Sequence, residues 1–352
     1  MGYDALLLAS FGGPEAPDQV MPFLERVTAG RGVPRDRLEL VAEHYYALGG
    51  VSPINEQNRQ LLAALRQGMA ARGVDLPVYW GNRNSPPFLA DAVSEMEAAG
   101  HTSVLALTTS AYPSYSGCRQ YRENLGAALV EAGVAGRMRI RVVGPYFDRP
   151  GFAAPTAEAV TAAVEQARQD GLRDDDVAVL FTTHSIPVAM DEGAGPDAGR
   201  PAEAPGRYVG AHLSVAETIM AGSPVPWRLV FQSRSGPPQV PWLEPDINDA
   251  VRAEAAVGRR RVIVAPIGFI SDHVEVIWDL DHEARQTAAD VGVEFMRVPT
   301  PGTHPAFVDA LLDRVEEAID EALATPAAQC SASCCRNPRG DRPVVPGIGG
   351  AE

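Results

Sequence analysis

Short apolar runs alternate with longer segments of helical period along the whole chain, and this alternation constrains the fold more than any other feature. Runs typical of buried strands lie at Tyr3–Ala9, Val78–Gly81, Val104–Thr109, Ile140–Val143, Val177–Thr183, Arg228–Gln232, Val262–Pro266 and Val293–Val298. Amphipathic stretches between them include Asn55–Arg72, Pro87–Ala99, Arg119–Glu131, Ala154–Gln169, Val274–Ala289 and Pro305–Ala324. Strands that alternate with helices predict an α/β fold with parallel sheets.

The length of the chain, 352 residues, is long for one domain and comfortable for two. The predicted strands divide equally on either side of residue 150. We therefore expect two Rossmann-like, doubly wound parallel-sheet domains at 1–150 and 151–324, with a cleft between them. Residues 325–352 form a cysteine-containing tail whose end we expect to be disordered. Residues 191–207 are rich in Gly, Pro and Ala and indicate a mobile surface insertion.

The charge balance excludes several classes of function. The formal net charge is −15, and nucleic-acid binding needs a basic face, so we expect no nucleic-acid partner. All 30 basic residues are Arg, which excludes a lysine Schiff base and a P-loop of the GK[ST] type. No run approaches the ~20 apolar residues of a transmembrane helix, and the first apolar run is too short for a signal peptide. We therefore expect a cytoplasmic protein.

Polar residues follow the carboxyl ends of predicted strands, where open α/β sheets bind their ligands. Four such loops are Ser10–Pro14, Ser110–Ser116, Thr182–Pro187 and Pro266–Glu275. His184 lies in the third, directly after an apolar strand. An imidazole there accepts a proton or binds a metal, or else is a buried side chain satisfied by a backbone carbonyl. The single His does not decide between these interpretations.

Three carboxylates, Glu275, Asp279 and Glu283, are spaced four residues apart on a predicted helix. This spacing places them in one stripe. A line of oxygen ligands holds or conducts a hydrated divalent cation, but the same pattern fits a solvated acidic helix face. Because the stripe follows a strand end and the sequence Ser271-Asp272-His273, we favour the metal site.

Six stretches together resemble the ferrochelatase family over essentially the whole chain: LLLASFGGPE (6–15), GGVSPIN (49–55), LTTSAYPSYS (107–116), TTHSIP (182–187), QSRSGP (232–237) and GFISDHVEVIWDLDHEA (268–284). The resemblance implies a metal chelatase, a lyase that inserts ferrous iron into a porphyrin held between two Rossmann-like domains. It places His184 and Glu275 at the family's catalytic positions. It also implies that the imidazole and the carboxylate, supplied by separate domains, face each other across the macrocycle.

The resemblance also implies roles for these residues. His184 accepts a pyrrole proton or ligates iron, and Glu275 assists from the metal side. Asp279 and Glu283 lead iron inward. Some relatives bind the iron of the product through a Tyr in the first loop, and this chain has Phe11 there. We expect His184 to ligate the product iron instead.

Contacts to the porphyrin follow less directly. Ser52 and Tyr121 lie on segments that bind porphyrin in the family. From the residues alone, Ser52 is also a candidate helix cap and Tyr121 a packed aromatic. Because coproporphyrin carries four propionates, Arg partners are expected, and Arg31, Arg119 and Arg122 are the candidates.

The four cysteines are Cys118, Cys330, Cys334 and Cys335. In a reducing compartment such residues ligate metals more often than they form disulfides. Many ferrochelatases hold a [2Fe–2S] cluster through one internal Cys and three near the C-terminus, and the resemblance implies such a cluster here. Four reduced thiols or a zinc site are the alternatives.

The resemblance is to actinobacterial members in particular, and with the Lys-free composition it favours coproporphyrin III as the substrate and coprohaem as the product. The alternatives are a protoporphyrin IX ferrochelatase, a cobalt- or nickel-inserting chelatase, and a non-catalytic porphyrin- or iron-binding protein of the same fold. We also expect transient contact with the preceding and following enzymes of haem synthesis.

Overall fold

All the predicted strands form in the computed structural model, which describes residues 2–195, 204–236, 239–323, 334–335, 337, 340 and 342–345. They are β1 Ala5–Ser10, β2 Val78–Asn82, β3 Ser103–Thr108, β4 Arg139–Val142, β5 Val177–His184, β6 Trp227–Gln232, β7 Arg261–Ala265 and β8 Glu294–Arg297. Each lies within two residues of its predicted bounds. The agreement follows from their near-continuous apolar sequences, since β1, β5 and β7 are buried along almost their whole length.

The strands form two four-stranded parallel sheets with the same order of strands. The first sheet runs β2-β1-β3-β4 and the second runs β6-β5-β7-β8. In each sheet the order reverses beside the first strand of that half, between β1 and β3 and between β5 and β7. These reversals are the switch points beyond which α/β sheets bind ligands. The predicted α/β fold class with two parallel sheets is confirmed.

Helices cover both sheets. They are α1 Val20–Val27, α2 Arg35–Ala47, α3 Ile54–Arg72, α4 Leu89–Ala98, α5 Gln120–Glu131, α6 Pro150–Gln169, α7 Val188–Glu192, α8 Arg207–Ile219, α9 Ile247–Ala256, α10 Val274–Val276, α11 Arg285–Val291 and α12 Pro305–Leu323. Within the described ranges, none of these helices is both long and apolar enough to cross a membrane.

The helix predicted at Val274–Ala289 differs from the structure in its middle. It begins as α10 and ends as α11, but Ile277–Ala284 between them is a π-helix, with the wider i→i+5 turn. In keeping with this turn, the Trp278 indole N–H donates to the carboxylate of Glu283, five residues later, at 2.8 Å. Such bulges concentrate at functional sites.

The largest hydrophobic cluster contains residues of both halves, among them Leu8 and Leu105 from the first sheet and Phe181 and Ile263 from the second. The division into domains at residue 150 therefore stays a prediction. The middle of the predicted insertion, 196–203, and most of the tail lie outside the described residues. The first residue of the predicted insertion, Asp191, is buried, and its carboxylate accepts a hydrogen bond from the Val209 N–H at 3.0 Å, at the start of α8.

Candidate active site

His184 is the last residue of β5, at the switch point of the second sheet. Its Nδ1 makes a short hydrogen bond with the Ser185 carbonyl oxygen. A carbonyl only accepts hydrogen bonds, so Nδ1 carries a proton, and in the neutral ring Nε2 carries the lone pair. The His184 side chain is 32% exposed. The structure therefore presents Nε2 at the surface of the site, and His184 is not a fully buried imidazole.

Glu275 lies directly opposite this nitrogen. It follows the loop after β7, the strand that pairs with β5, and belongs to the short helix α10. Its Oε2 is 3.7 Å from His184 Nε2, and its side chain is 44% exposed. Adjacent strands at one switch point thus bring the imidazole and the carboxylate together across 90 residues of sequence.

This geometry corrects the expected arrangement of the pair. A flat ring between the two groups requires about 7 Å, because each of its faces makes a van der Waals contact of about 3.5 Å. The observed separation of 3.7 Å leaves no such space. Both residues also belong to the second sheet, on β5 and after β7. The prediction that separate domains supply them is therefore wrong, and the short separation favours their approach to one face of a macrocycle.

The acidic stripe continues from Glu275 along the π-helix. Asp279 accepts a short hydrogen bond from the Ser233 hydroxyl and another from the Gln232 amide at 3.3 Å. Burial, with smaller contributions from the charges of Glu275 and Glu283, raises the pKa of Asp279 to about 7 against the opposing effect of these two hydrogen bonds. Glu283 is exposed. Along the stripe, the carboxylate farther from the pair, Glu283, is solvated, and the nearer one, Asp279, is half-buried and easily protonated.

Three residues near this pair were not predicted as site residues: His273, Tyr45 and Ser233. Burial lowers the pKa of His273, and the nearby charge of His184 lowers it further while that of Glu275 opposes the shift. Burial and Glu275 both raise the pKa of Tyr45, which lies on α2. Ser233 has a left-handed backbone, with φ 59°, at the end of β6. Ser233 lies in QSRSGP (232–237), one of the six stretches that resemble the family, whereas Tyr45 had no sequence signal.

At the first sheet, Ser52 packs beneath the loop that follows β1. Ser52 is buried, and its N–H donates to the Pro14 carbonyl at 2.8 Å. The backbone of Gly13 packs so closely against it that a Cβ at Gly13 would lie 2.7 Å from the Cβ of Ser52. The N-cap of α3 is Pro53, so Ser52 does not cap the helix. Phe11, in the same loop, packs edge-on against Phe23 at 6.2 Å. A role for Ser52 in binding porphyrin stays a prediction.

Tyr121 is also buried, within the core cluster on one face of the first sheet. The guanidinium of Arg83 lies 4.6 Å from its ring centre and 5.3 Å from that of Phe11. Arg83 also donates to the Asn124 side chain at 2.8 Å. The packed-aromatic interpretation thus describes Tyr121 in this structure, and its contact with porphyrin stays a prediction.

Two of the three Arg candidates are buried and bind neighbouring groups of the protein. Arg119 is buried and pairs with Glu123 at 3.3 Å. Arg122 is buried and its Nε donates to the carbonyl of Val345 in the tail at 2.7 Å. Because both are covered by neighbouring protein, their prediction as propionate partners is wrong. Arg31 is exposed between α1 and α2 and stays a candidate.

Three of the four cysteines share one pocket. Cys118, Cys334 and Cys335 pack with Ala194, and the sulfurs of Cys334 and Cys335 are 3.9 Å apart. A hydrogen bond with Cys118 raises the pKa of Cys335 to about 12, while the Gly195 N–H, 3.2 Å from that sulfur, has the opposite effect. Cys330 lies outside the described residues. In the described chain no three His, Cys, Asp or Glu side chains already form a metal-binding group.

A separate open groove lies near α3 and α6. Its lining includes Gln57, Glu158 and His304, and His304 Nε2 is 3.3 Å from the Glu158 carboxylate. Neither His184 nor Glu275 lines this groove. We do not assign it to the chemistry.

A family model described as Ferrochelatase matches residues 3–319. The chain belongs to the ferrochelatase family. The predicted family is thereby confirmed, and the match includes the His184–Glu275 pair and the acidic stripe. It ends before the tail that contains Cys334 and Cys335.

Two curated relatives align with this chain over most of its length. A coproporphyrin III ferrochelatase of Leifsonia xyli is 48% identical, over 99% of this chain and 95% of that protein. One from Streptomyces griseus is 50% identical, over 90% of this chain and 85% of that protein. Among solved structures, SirB from Bacillus subtilis with Fe3+ has a TM-score of 0.51 at 13% identity, over 91% of this chain and 97% of that one. The likeness to SirB shows the fold alone.

Proposed function

We propose that this protein is a coproporphyrin III ferrochelatase, which inserts Fe²⁺ into coproporphyrin III to give coprohaem. The observation that carries the proposal is the His184–Glu275 pair, held 3.7 Å apart at the switch point of a chain in the ferrochelatase family. The choice of porphyrin rests on relatives named coproporphyrin III ferrochelatase, which are 44% to 50% identical to this chain.

The pair supplies the proton transfer that metallation requires. Insertion of Fe²⁺ into a free-base porphyrin releases two pyrrole protons. With Nδ1–H bound to the Ser185 carbonyl, the lone pair on His184 Nε2 accepts the first of them. The Glu275 carboxylate stabilises the resulting imidazolium from 3.7 Å and, being partly exposed, passes protons to solvent. The imidazole and the carboxylate, which are in contact and differ in basicity, thus serve the successive removal of the two pyrrole protons.

The acidic stripe supplies the iron. Glu283 is exposed and attracts the hydrated cation, and Asp279 is the next carboxylate inward. Since burial raises the pKa of Asp279 to about 7, this carboxyl exchanges a proton for the incoming cation near neutral pH. The spacing favours passage over tight chelation, because the described side chains form no ready-made metal group.

The macrocycle lies with one face toward the His184–Glu275 pair. Its other face turns toward the first sheet and the loop that contains Phe11, which Ser52 contacts and which Arg83 links to Tyr121. Phe11 has no ligating atom, so we propose that His184 Nε2 binds the iron of the product after the imidazole has passed its proton to solvent through Glu275.

We also propose a [2Fe–2S] cluster at the cysteine pocket, with Cys118, Cys334 and Cys335 as ligands and Cys330 as the fourth. The shared burial of three thiols supports this, since crowded sulfurs resist ionisation until a metal compensates their charge. When bound, the cluster ties the tail to the first half of the chain. A reducing compartment suits these thiols, and we propose the cytoplasm, where the enzymes before and after this step exchange porphyrin with it.

The proposal is tested by an anaerobic assay of the purified protein with Fe²⁺ and either coproporphyrin III or protoporphyrin IX. We expect rapid metallation of coproporphyrin III and little of protoporphyrin IX. Metallation of protoporphyrin alone contradicts the substrate, and binding of both porphyrins without metallation favours the non-catalytic alternative. An absorption spectrum with iron and acid-labile sulfide analysis tests the cluster, and a Cys334→Ser variant serves as the control.

A further inference from the structure

A second histidine lies behind the active site, on α8. His212 is 0% exposed, and both of its ring nitrogens have partners. Nδ1 donates to the Tyr208 carbonyl at 2.7 Å, and Nε2 lies 2.9 Å from the Thr183 hydroxyl. The carbonyl fixes the proton on Nδ1, so Nε2 accepts from Thr183. Burial lowers the pKa of His212 to about 3, and the ring stays neutral.

This imidazole sets the direction of a short hydrogen-bond chain that ends at the catalytic residue. Thr183 precedes His184 on β5 and donates its single hydroxyl proton to His212. The Tyr208 hydroxyl lies 2.6 Å from Thr183 Oγ1 and donates to the His184 carbonyl at 3.0 Å. Because the Thr183 proton is already committed, the single proton of the Tyr208 hydroxyl is shared between Thr183 Oγ1 and the His184 carbonyl oxygen.

The same imidazole also supports the loop that leads to Glu275. The Tyr112 ring stacks on His212 with centres 3.5 Å apart and planes 14° apart. The Tyr112 hydroxyl donates to the Ile267 carbonyl at 3.0 Å, in the loop after β7. Gly268 in this loop packs so closely that a Cβ there would lie 2.2 Å from Thr183 Oγ1. One buried ring therefore contacts the supports of both halves of the catalytic pair.

We infer that His212 is a positioning residue that, through Thr183, Tyr208 and Tyr112, fixes the separation and orientation of His184 and Glu275. The inference rests on the proposed function, since it assigns His212 to the same reaction. His212 is fully buried and touches no substrate, so its effect passes through the pair. It acts on kcat, because the porphyrin-binding surface does not include it.

The test compares two substitutions of this side chain. His212→Phe keeps an aromatic ring against Tyr112 but removes the acceptor for Thr183. His212→Gln places an amide oxygen near the position of Nε2 and keeps that acceptor. Loss of a buried hydrogen-bond partner predicts that His212→Phe lowers kcat for coproporphyrin metallation by about tenfold, with the porphyrin KM unchanged within about twofold. His212→Gln restores kcat to within about threefold of the wild type.

A double variant tests the hydrogen-bond chain itself. Thr183→Val is expected to reduce kcat as His212→Phe does, and the combination is expected to cost no more than either change alone. His101→Gln is the matched control, because this histidine lies before the amino end of β3, away from the site, and its Nε2 is 3.1 Å from the Tyr79 hydroxyl. Its kcat should equal that of the wild type. Circular dichroism gives the folded fraction to which each rate is normalised.

Wild-type kcat in both His212→Phe and Thr183→Val overturns the inference, as does a loss that His212→Gln does not relieve. If His212→Phe does not fold, Tyr208→Phe and Thr183→Val decide the question in the same assay. A wild-type protein that metallates neither porphyrin contradicts the proposed function instead, so the two failures are distinguishable.

Discussion

The two sheets share one strand order, yet their carboxyl edges differ in chemistry. At the first edge the buried polar side chains of the loops after β1 and β2 are neutral: Asn82 donates to the Pro86 carbonyl at 3.1 Å, and Asn55 donates to that of Gly13 at 3.1 Å. At the second edge they are ionisable and half-exposed, as His184 and Glu275 show. Topology thus places a binding edge on both sheets, and the loop residues decide which of them carries the reaction.

The neutral edge suits the task of shaping a surface. Amides and hydroxyls that satisfy one another hold the loop after β1, where a Cβ at Gly12 would lie 2.4 Å from the Ser85 hydroxyl and where φ is +80°. The ionisable edge suits proton and metal transfer, because its groups keep contact with solvent. Substitutions at the second edge should therefore reduce turnover, and substitutions at the first edge should reduce stability.

The largest effect is expected at His184. His184→Ala removes the proposed base, so kcat for coproporphyrin metallation should fall by about 10³-fold, within the range of general-base catalysis. Coproporphyrin binding, measured by fluorescence quenching, should stay unchanged. His101→Ala, at the opposite end of the first sheet, is the control. A His184→Ala protein that retains wild-type turnover contradicts the claim that the second edge carries the reaction.

The next effect is expected at Arg297, which organises the ionisable edge. Its guanidinium binds both carboxylate oxygens of Asp272, at 3.1 and 3.0 Å, and also Asp281 at 2.9 Å. Arg297→Gln leaves two half-buried carboxylates without their shared partner, and the free energy of unfolding should fall by about 3 kcal/mol in urea denaturation. Arg285→Gln is the matched control, since it removes an exposed partner of the same Asp281 and should cost less than about 0.5 kcal/mol. Equal effects of the two changes contradict this role.

The first edge is tested at Asn82, which is fully buried. Asn82→Ala removes its hydrogen bonds to the Pro86 carbonyl and to the side chains around it, so the free energy of unfolding should fall by about 2 kcal/mol. Turnover per folded molecule should stay within about threefold of the wild type, since no proton or metal passes through this amide. A loss of turnover comparable to that of His184→Ala shows that both edges take part in the chemistry.

The smallest effect is expected from the titration of Asp279. Its pKa is raised to about 7, so the folded protein binds this proton more tightly than the unfolded chain. Stability is therefore lost as the pH rises toward 7, and Asp279→Asn avoids this loss. Between pH 5 and pH 8 the full shift corresponds to about 2.6 kcal/mol, and solvent screening of this partly exposed carboxyl reduces the expected gain of the variant to about 1 kcal/mol relative to the wild type in thermal or urea unfolding. A difference that does not change with pH shows that burial does not control this carboxyl.

Much of the fold follows from the sequence because buried parallel strands are near-continuous apolar runs, and every predicted strand formed. The residues at the pair were also accessible to prediction, since His184 and Glu275 follow such strands. Their mutual distance was not, because it depends on the pairing of β5 with β7, which no apolar pattern specifies.

Contacts that only the folded chain establishes explain the other failures. Arg119 and Arg122 look like free cations in the sequence, but Glu123 and the backbone of the tail bind them. The half-burial of Asp279 depends on Ser233 at the end of another strand. The π-helix preserves the stripe of carboxylates but alters its spacing, and the repeat of four residues fits both helical forms.

The central claim, that His184 and Glu275 act from one side of the porphyrin, is tested most directly by a crystal structure of the protein with coproporphyrin III. We predict that His184 Nε2 and the Glu275 carboxylate approach the same face of the macrocycle and that the Phe11 loop lies on the other. A macrocycle that lies between the imidazole and the carboxylate, with the two separated by about 7 Å or more, would contradict the claim.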